Sequence, residues 1–119
     1  MHTFYFEKLE VWQDSRLLIK KIYELTKRFP GDEKYGLTSQ TRRAAISISS
    51  NIAEGSSRFS DKDKARFMEI AFGSSLEVLN LIILAFDLKY IESEEADSLR
   101  TQVQKICNRL NAFRKKLII

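Results

Sequence analysis

Ten basic side chains near the two ends of the chain carry most of the chemistry this sequence offers. They are Arg16, Lys20, Lys21, Lys27 and Arg28, then Lys105, Arg109, Arg114, Lys115 and Lys116. Bases repeated every three or four residues line one face of a helix, and such a face can hold phosphates through sequence-tolerant, salt-sensitive contacts. The same residues also read as an ordinary solvated face with i, i+4 pairs such as Glu24–Arg28. A second constellation is Arg43, Asn51, Glu54 and Glu77, which lie in segments otherwise made of small or apolar residues. It reads as a buried polar network that fixes helix register, each member needing a partner. Its carboxylates would do acid–base work only in a cleft with a substrate, and neither is specified by the sequence.

The rarest residues narrow the field. One cysteine, Cys107, makes no internal disulfide, and the one histidine, His2, lies next to the first residue. A Cys/His zinc site needs about four such ligands. Nucleophile chemistry through histidine would rest on His2 alone. The expectation is therefore a protein without enzymatic activity, cofactor, metal or small-molecule substrate. The first fourteen residues include Glu7, Glu10 and Asp14 and no apolar core, unlike a signal peptide. The longest apolar run is six residues, 81–86, against the roughly 20 of a membrane span. These features lead to the expectation of a cytoplasmic protein with no membrane partner.

Those side chains must be positioned by helices. At 119 residues the chain is one domain's worth, and one proline with four glycines leaves too few turn residues for a sandwich or barrel. Punctuation falls at Phe29-Pro30-Gly31-Asp32, at the Gly55-to-Ser60 cluster and at Tyr90-Ile91-Glu92-Ser93. Ser60 is a candidate N-cap with Asp61 and Asp63 behind it, and Ser93 another ahead of Glu94, Glu95 and Asp97. Helices are expected at 8–29, 37–56, 61–90 and 94–117, together at least 70% of the chain. The fold class is all-α: one antiparallel up-down four-helix bundle spanning 1–119.

Periodicity assigns the faces. Leu99, Val103, Ile106, Leu110, Phe113 and Leu117 form a heptad seam. In the first helix Trp12, Ile19, Ile22, Tyr23, Thr26 and Phe29 share a face. The second helix has a thin stripe of Leu37, Thr41, Ala44, Ala45, Ile48 and Ile52 among serines, which suits a position inside the bundle. Gly73, mid-helix, costs about 1 kcal/mol against alanine, a cost that close contact with the second helix would offset. The third helix is apolar nearly all round between residues 76 and 88, more than one bundle buries. That surplus predicts a subunit interface and a ring-like homo-oligomer. The net charge is +4, with pI near 9.3. Residues 8–29 and 93–119 each hold six bases and three acids, whereas 60–92 hold four and six.

Five ordered motifs carry a family resemblance. They are Phe6-Glu7-Lys8-Leu9-Glu10-Val11-Trp12-Gln13, Phe29-Pro30-Gly31-Asp32-Glu33-Lys34-Tyr35-Gly36-Leu37, Gln40-Thr41-Arg42-Arg43-Ala44-Ala45, Ser49-Ser50-Asn51-Ile52-Ala53-Glu54-Gly55 and Ile70-Ala71-Phe72-Gly73-Ser74-Ser75-Leu76-Glu77. Over nearly the whole chain this resembles the four-helix-bundle proteins encoded in intervening sequences of bacterial 23S ribosomal RNA genes, also called S23 ribosomal proteins. That family is similar to the accessory variability protein of diversity-generating retroelements, a basic homopentamer that binds nucleic acid and a reverse transcriptase. The resemblance implies a pentamer and an RNA or protein–RNA partner. Ser50 departs from the proline usual before the asparagine, which puts a helix kink in doubt. The leading expectation is a bundle that binds RNA through its first and last helices. The alternative is a protein-interaction scaffold with no direct RNA role.

Overall fold

The computed structural model describes residues 1–117 and contains four helices, α1 (Glu10–Thr26), α2 (Leu37–Ser56), α3 (Asp61–Asp87) and α4 (Ser93–Leu117). With 17, 20, 27 and 25 residues they hold about three quarters of the chain. Short 3-10 turns at Tyr5–Lys8 and Gly31–Glu33 precede α1 and α2. Short connections force each helix antiparallel to the last. Packing pairs α1 with α2, α2 with α3, α3 with α4 and α4 with α1, while neither diagonal pair comes close. The result is an up-down-up-down bundle 43 Å long.

The helix boundaries have local causes. Ser60 Oγ accepts from the Asp63 N–H at 3.1 Å and starts α3, as its sequence position implies. Ser93 does not cap α4. It is the first helical residue, and the Glu95 carboxylate reaches back to the Glu92 N–H at 3.0 Å instead. The first helix stops at Thr26 rather than 29. Phe29 precedes proline, which disfavours the helical region there, and the Thr26 hydroxyl bonds the Ile22 carbonyl at 2.7 Å. The third helix stops at Asp87 rather than 90. Lys89 turns left-handed at φ 66°, and the Tyr90 and Lys89 N–H groups close onto the Ala85 and Phe86 carbonyls in a Schellman motif.

The core follows heptads. α4 buries Leu99, Val103, Ile106 and Leu110 as expected, and α2 buries Thr41, Ala44, Ala45, Ile48 and Ile52. On α1 the buried line is Val11, Ser15, Leu18, Ile22 and Leu25, and Phe29 just beyond the helix continues it, stepping 4, 3, 4, 3, 4. Trp12, Ile19 and Tyr23, the aromatic-rich face expected inside, are half-buried on its flank toward α2. The glycines exchange roles. A Cβ on Gly73 would meet nothing within 4 Å, whereas one on Gly55 would lie 2.5 Å from Phe67 Cβ and 2.7 Å from Met68 Cε. Gly55 is the point of close α2–α3 approach.

By length and composition α3 is apolar enough to cross a membrane, a property the six-residue run understates. Here its core face packs between α2 and α4. Two apolar stripes remain on its flanks. Toward α4, Phe72, Leu76, Leu79, Ile83 and Phe86 form a heptad line, with Leu76, Ile83 and Phe86 exposed. A groove runs beside it, lined from α4 by Ala96, Arg100, Gln104, Cys107 and Asn111. Toward α2, Ile70, Leu84 and Leu88 are exposed, with Ile46 exposed on α2.

Candidate nucleic-acid interface

The ten bases divide into two sets. Arg109 pairs with Asp14 at 2.5 Å and Glu10 at 2.9 Å, and Lys105 lies 3.7 Å from the same Asp14. Arg28 pairs with Glu95, and Lys21 donates to Ser98 Oγ. Arg114 reaches Glu69 on α3 at 3.1 Å. These five residues plus Lys21's hydroxyl partner form cross-links between helices, most of them tying α1 to α4. Asp14 keeps only 15% of its side chain exposed, so its bond to Arg109 is partly desolvated.

Arg16, Lys20, Lys27, Lys115 and Lys116 make no ion pair among the described residues. Arg16, Lys20 and Lys27 share the outer face of α1 and its C-terminal turn, spread over about 16 Å at the helical rise. Arg16 lies over the Trp12 ring at 5.5 Å, which leans it toward α2. Arg42 joins the stripe from α2: its guanidinium covers the Tyr23 ring at 4.4 Å and donates to Thr26 Oγ1 at 2.8 Å. The sequence reading missed this residue, although Tyr23 and Thr26 sit three apart and Arg42 has no acid within one helical turn. Lys115 and Lys116 are exposed at the far end of α4.

The expected buried network does not form as a unit. Arg43 and Glu77 pair at 2.5 Å across α2 and α3, but on the surface, with side chains 61% and 37% exposed. The Asn51 amide donates to the Ser47 carbonyl at 2.8 Å and to its hydroxyl at 3.1 Å, and Ser47 Oγ meets Ser74 Oγ at 2.9 Å. Glu54 is exposed and has no side-chain hydrogen bond among the described residues. The reason is angular. Residues 43 and 54, eleven apart, fall at nearly the same angle on α2, turned away from Ile48, while 47 and 51 turn toward α3.

Two further groups with shifted pKa lie at the α3–α4 connection and midway along α4. The Tyr90 hydroxyl donates to Glu33 at 2.8 Å, which raises its pKa above the ordinary 10.0. The other Glu33 oxygen accepts from the Leu37 N–H at 3.1 Å, so one carboxylate ties the α3–α4 connection to the start of α2. Burial pushes the Cys107 thiol up, which makes it a poor nucleophile.

An antiparallel four-helix bundle, stapled by ion pairs and carrying a basic outer stripe and two apolar flanks, is the class of protein these features define. The family model for the 23S rRNA-intervening sequence protein matches residues 7–112, and the chain belongs to that family. No curated protein matches it. The chain is similar in structure to a protein of unknown function from the S23 ribosomal protein family of Bacteroides thetaiotaomicron VPI-5482. The TM-score is 0.82 at 24% identity, over 88% of this chain and 95% of that chain. At that identity the likeness concerns the fold.

Proposed function

We infer that this protein is a non-enzymatic, self-assembling bundle that holds RNA through the outer face of α1. The observation that carries the reading is the stripe of Arg16, Lys20, Lys27 and Arg42, whose guanidinium and ammonium groups have no acidic partner among the described residues. Cations without acid partners are the ones available to displace counterions from phosphate. Lys105, Arg109 and Arg114, tied to acids, contribute less than the sequence suggests. Assembly is supported by the two apolar flanks of α3, since a closed ring needs two different patches on each protomer. Five copies at +4 would carry about +20, and multivalency would multiply a weak single site.

The same α3–α4 groove also favours a second reading, an adaptor that seats a helix of another protein, with Asp87, Asp97 and Arg100 on its rim. Two measurements decide. Titration of structured RNA against the parent protein and the Arg16→Gln, Lys20→Gln, Lys27→Gln variant should show weaker binding in the variant and a shallower salt dependence. Equal affinity at low salt would count for the adaptor, and a parent that binds no RNA removes the leading reading. Light scattering should give a mass near five chains. A mass near 13.9 kDa overturns the assembly.

A further inference from the structure

The connection between α2 and α3 presents a phenylalanine in an unusual setting. Phe59 is fully exposed, at 104% of its reference area, where burial would contribute about 1.5–3 kcal/mol. The ring stands on a bonded turn. The Ser57 and Arg58 N–H groups donate to the Glu54 and Gly55 carbonyls at 3.2 Å, and Ser60 caps α3 directly after it. Cations crowd the same turn. The Arg58 and Arg66 guanidiniums cover the buried Phe67 ring at 4.5 and 4.8 Å, and Lys62 and Lys64 follow in the first turn of α3. Arg58 has no ion pair among the described residues.

The charge of the whole bundle leans to this end. The half that carries the turn (residues 1–18, 47–74 and 105–117) has eleven bases and seven acids, and the other half has nine of each. The net +4 therefore belongs to the half of the bundle that carries Phe59, and Lys115 and Lys116 lie in the same half. A planar apolar face ringed by cations fits a ligand that is itself planar and anionic. An acidic peptide would use the cations and leave the ring idle.

We propose that the α2–α3 turn is a single-strand nucleic-acid site, in which Phe59 stacks on an unpaired base while Arg58 and Lys62 hold the adjoining phosphates. This rests on the reading of the protein as an RNA binder and adds a base contact that the α1 stripe lacks. In a duplex both faces of each base are covered, so the site selects unpaired strand.

The test uses fluorescence anisotropy on the full chain with a labelled oligouridylate of about twelve nucleotides and with an RNA duplex of similar length. Phe59→Ala should weaken the single strand by about 5- to 100-fold, with an unchanged salt slope because stacking releases no counterion. Phe59→Trp should keep the affinity, and duplex binding should not move. Because Phe59 touches nothing, both variants should melt as the parent does. If the single strand binds the parent and Phe59→Ala equally, the stacking site is overturned while RNA binding by α1 stands. An equal loss on strand and duplex overturns it as well. Loss on phosphatidylserine vesicles, with RNA unaffected, reassigns the ring to a membrane. A parent that binds neither RNA overturns this proposal together with the reading beneath it.

Discussion

Two glycines on neighbouring helices show how little a residue's type says about its duty. Gly73 is a mid-helix glycine facing open space, so Gly73→Ala should stabilise the fold by about 1 kcal/mol through propensity alone. Gly55 is pressed against Phe67 and Met68, so Gly55→Ala must push α3 away and should destabilise by about 1–3 kcal/mol. Urea melts of the two variants should shift in opposite directions; a shift in the same direction would contradict the packing described. Arg109 is the parallel case among charges. Its removal leaves Asp14, 15% exposed, with Lys105 alone at 3.7 Å. Arg109→Gln should therefore destabilise by about 1–2 kcal/mol, an effect measurable in the absence of any nucleic acid.

Between residue and molecule, the connection from α3 to α4 concentrates the unusual backbone. Lys89 occupies the left-handed position of the Schellman motif, where glycine carries no Cβ penalty. Lys89→Gly should raise stability by about 1 kcal/mol, read as a higher urea midpoint with an unchanged slope. The same connection contains a pH-dependent tie. The Glu92 N–H first, and then the Arg28 guanidinium, hold the Glu95 carboxyl below its ordinary value of 4.5. A depressed folded pKa means the contribution is present above the unfolded value and is lost as pH falls through the folded one. The stability gap between parent and Glu95→Gln should thus be flat near neutrality and close below about pH 4.5. A gap that persisted unchanged into acid would rule out this linkage.

At the scale of the molecule, the α3 flanks and the charge lean decide behaviour. Leu76 and Ile83 lie exposed at the centre of the heptad line, outside the bundle's core. Replacing both with lysine should leave the helix content intact while dispersing any assembly, because each buried leucine or isoleucine at an interface contributes about 1.5–3 kcal/mol. Sedimentation of parent and variant side by side checks this: equal masses above one chain would rule out this flank as the contact, and a parent mass near 13.9 kDa would rule out assembly. Assembly also makes melting temperature rise with protein concentration, and the variant should lose that dependence.

Much of the architecture was legible before any coordinates. Four helices, the Ser60 cap, the α2 stripe and the α4 seam follow from periodicity and capping chemistry, which act within a few residues. The surplus apolar surface of α3 was legible for the same reason, since a helix apolar all round shows it in composition. The core line of α1 was hidden because its aromatic flank competes with Val11, Leu18 and Leu25 for the apolar face. What only the tertiary structure decided is which charges remain available. Arg109 and Asp14 stand 95 positions apart, and Arg114 and Glu69 stand 45 apart. Whether a base meets an acid or meets water depends on which helices the bundle sets side by side and at what height. The same holds for Gly55, Phe59 and the dissolved Arg43–Asn51–Glu54–Glu77 group. Local spacing fixes the angle of a side chain on its own helix, but the neighbour it faces is a property of the packed bundle.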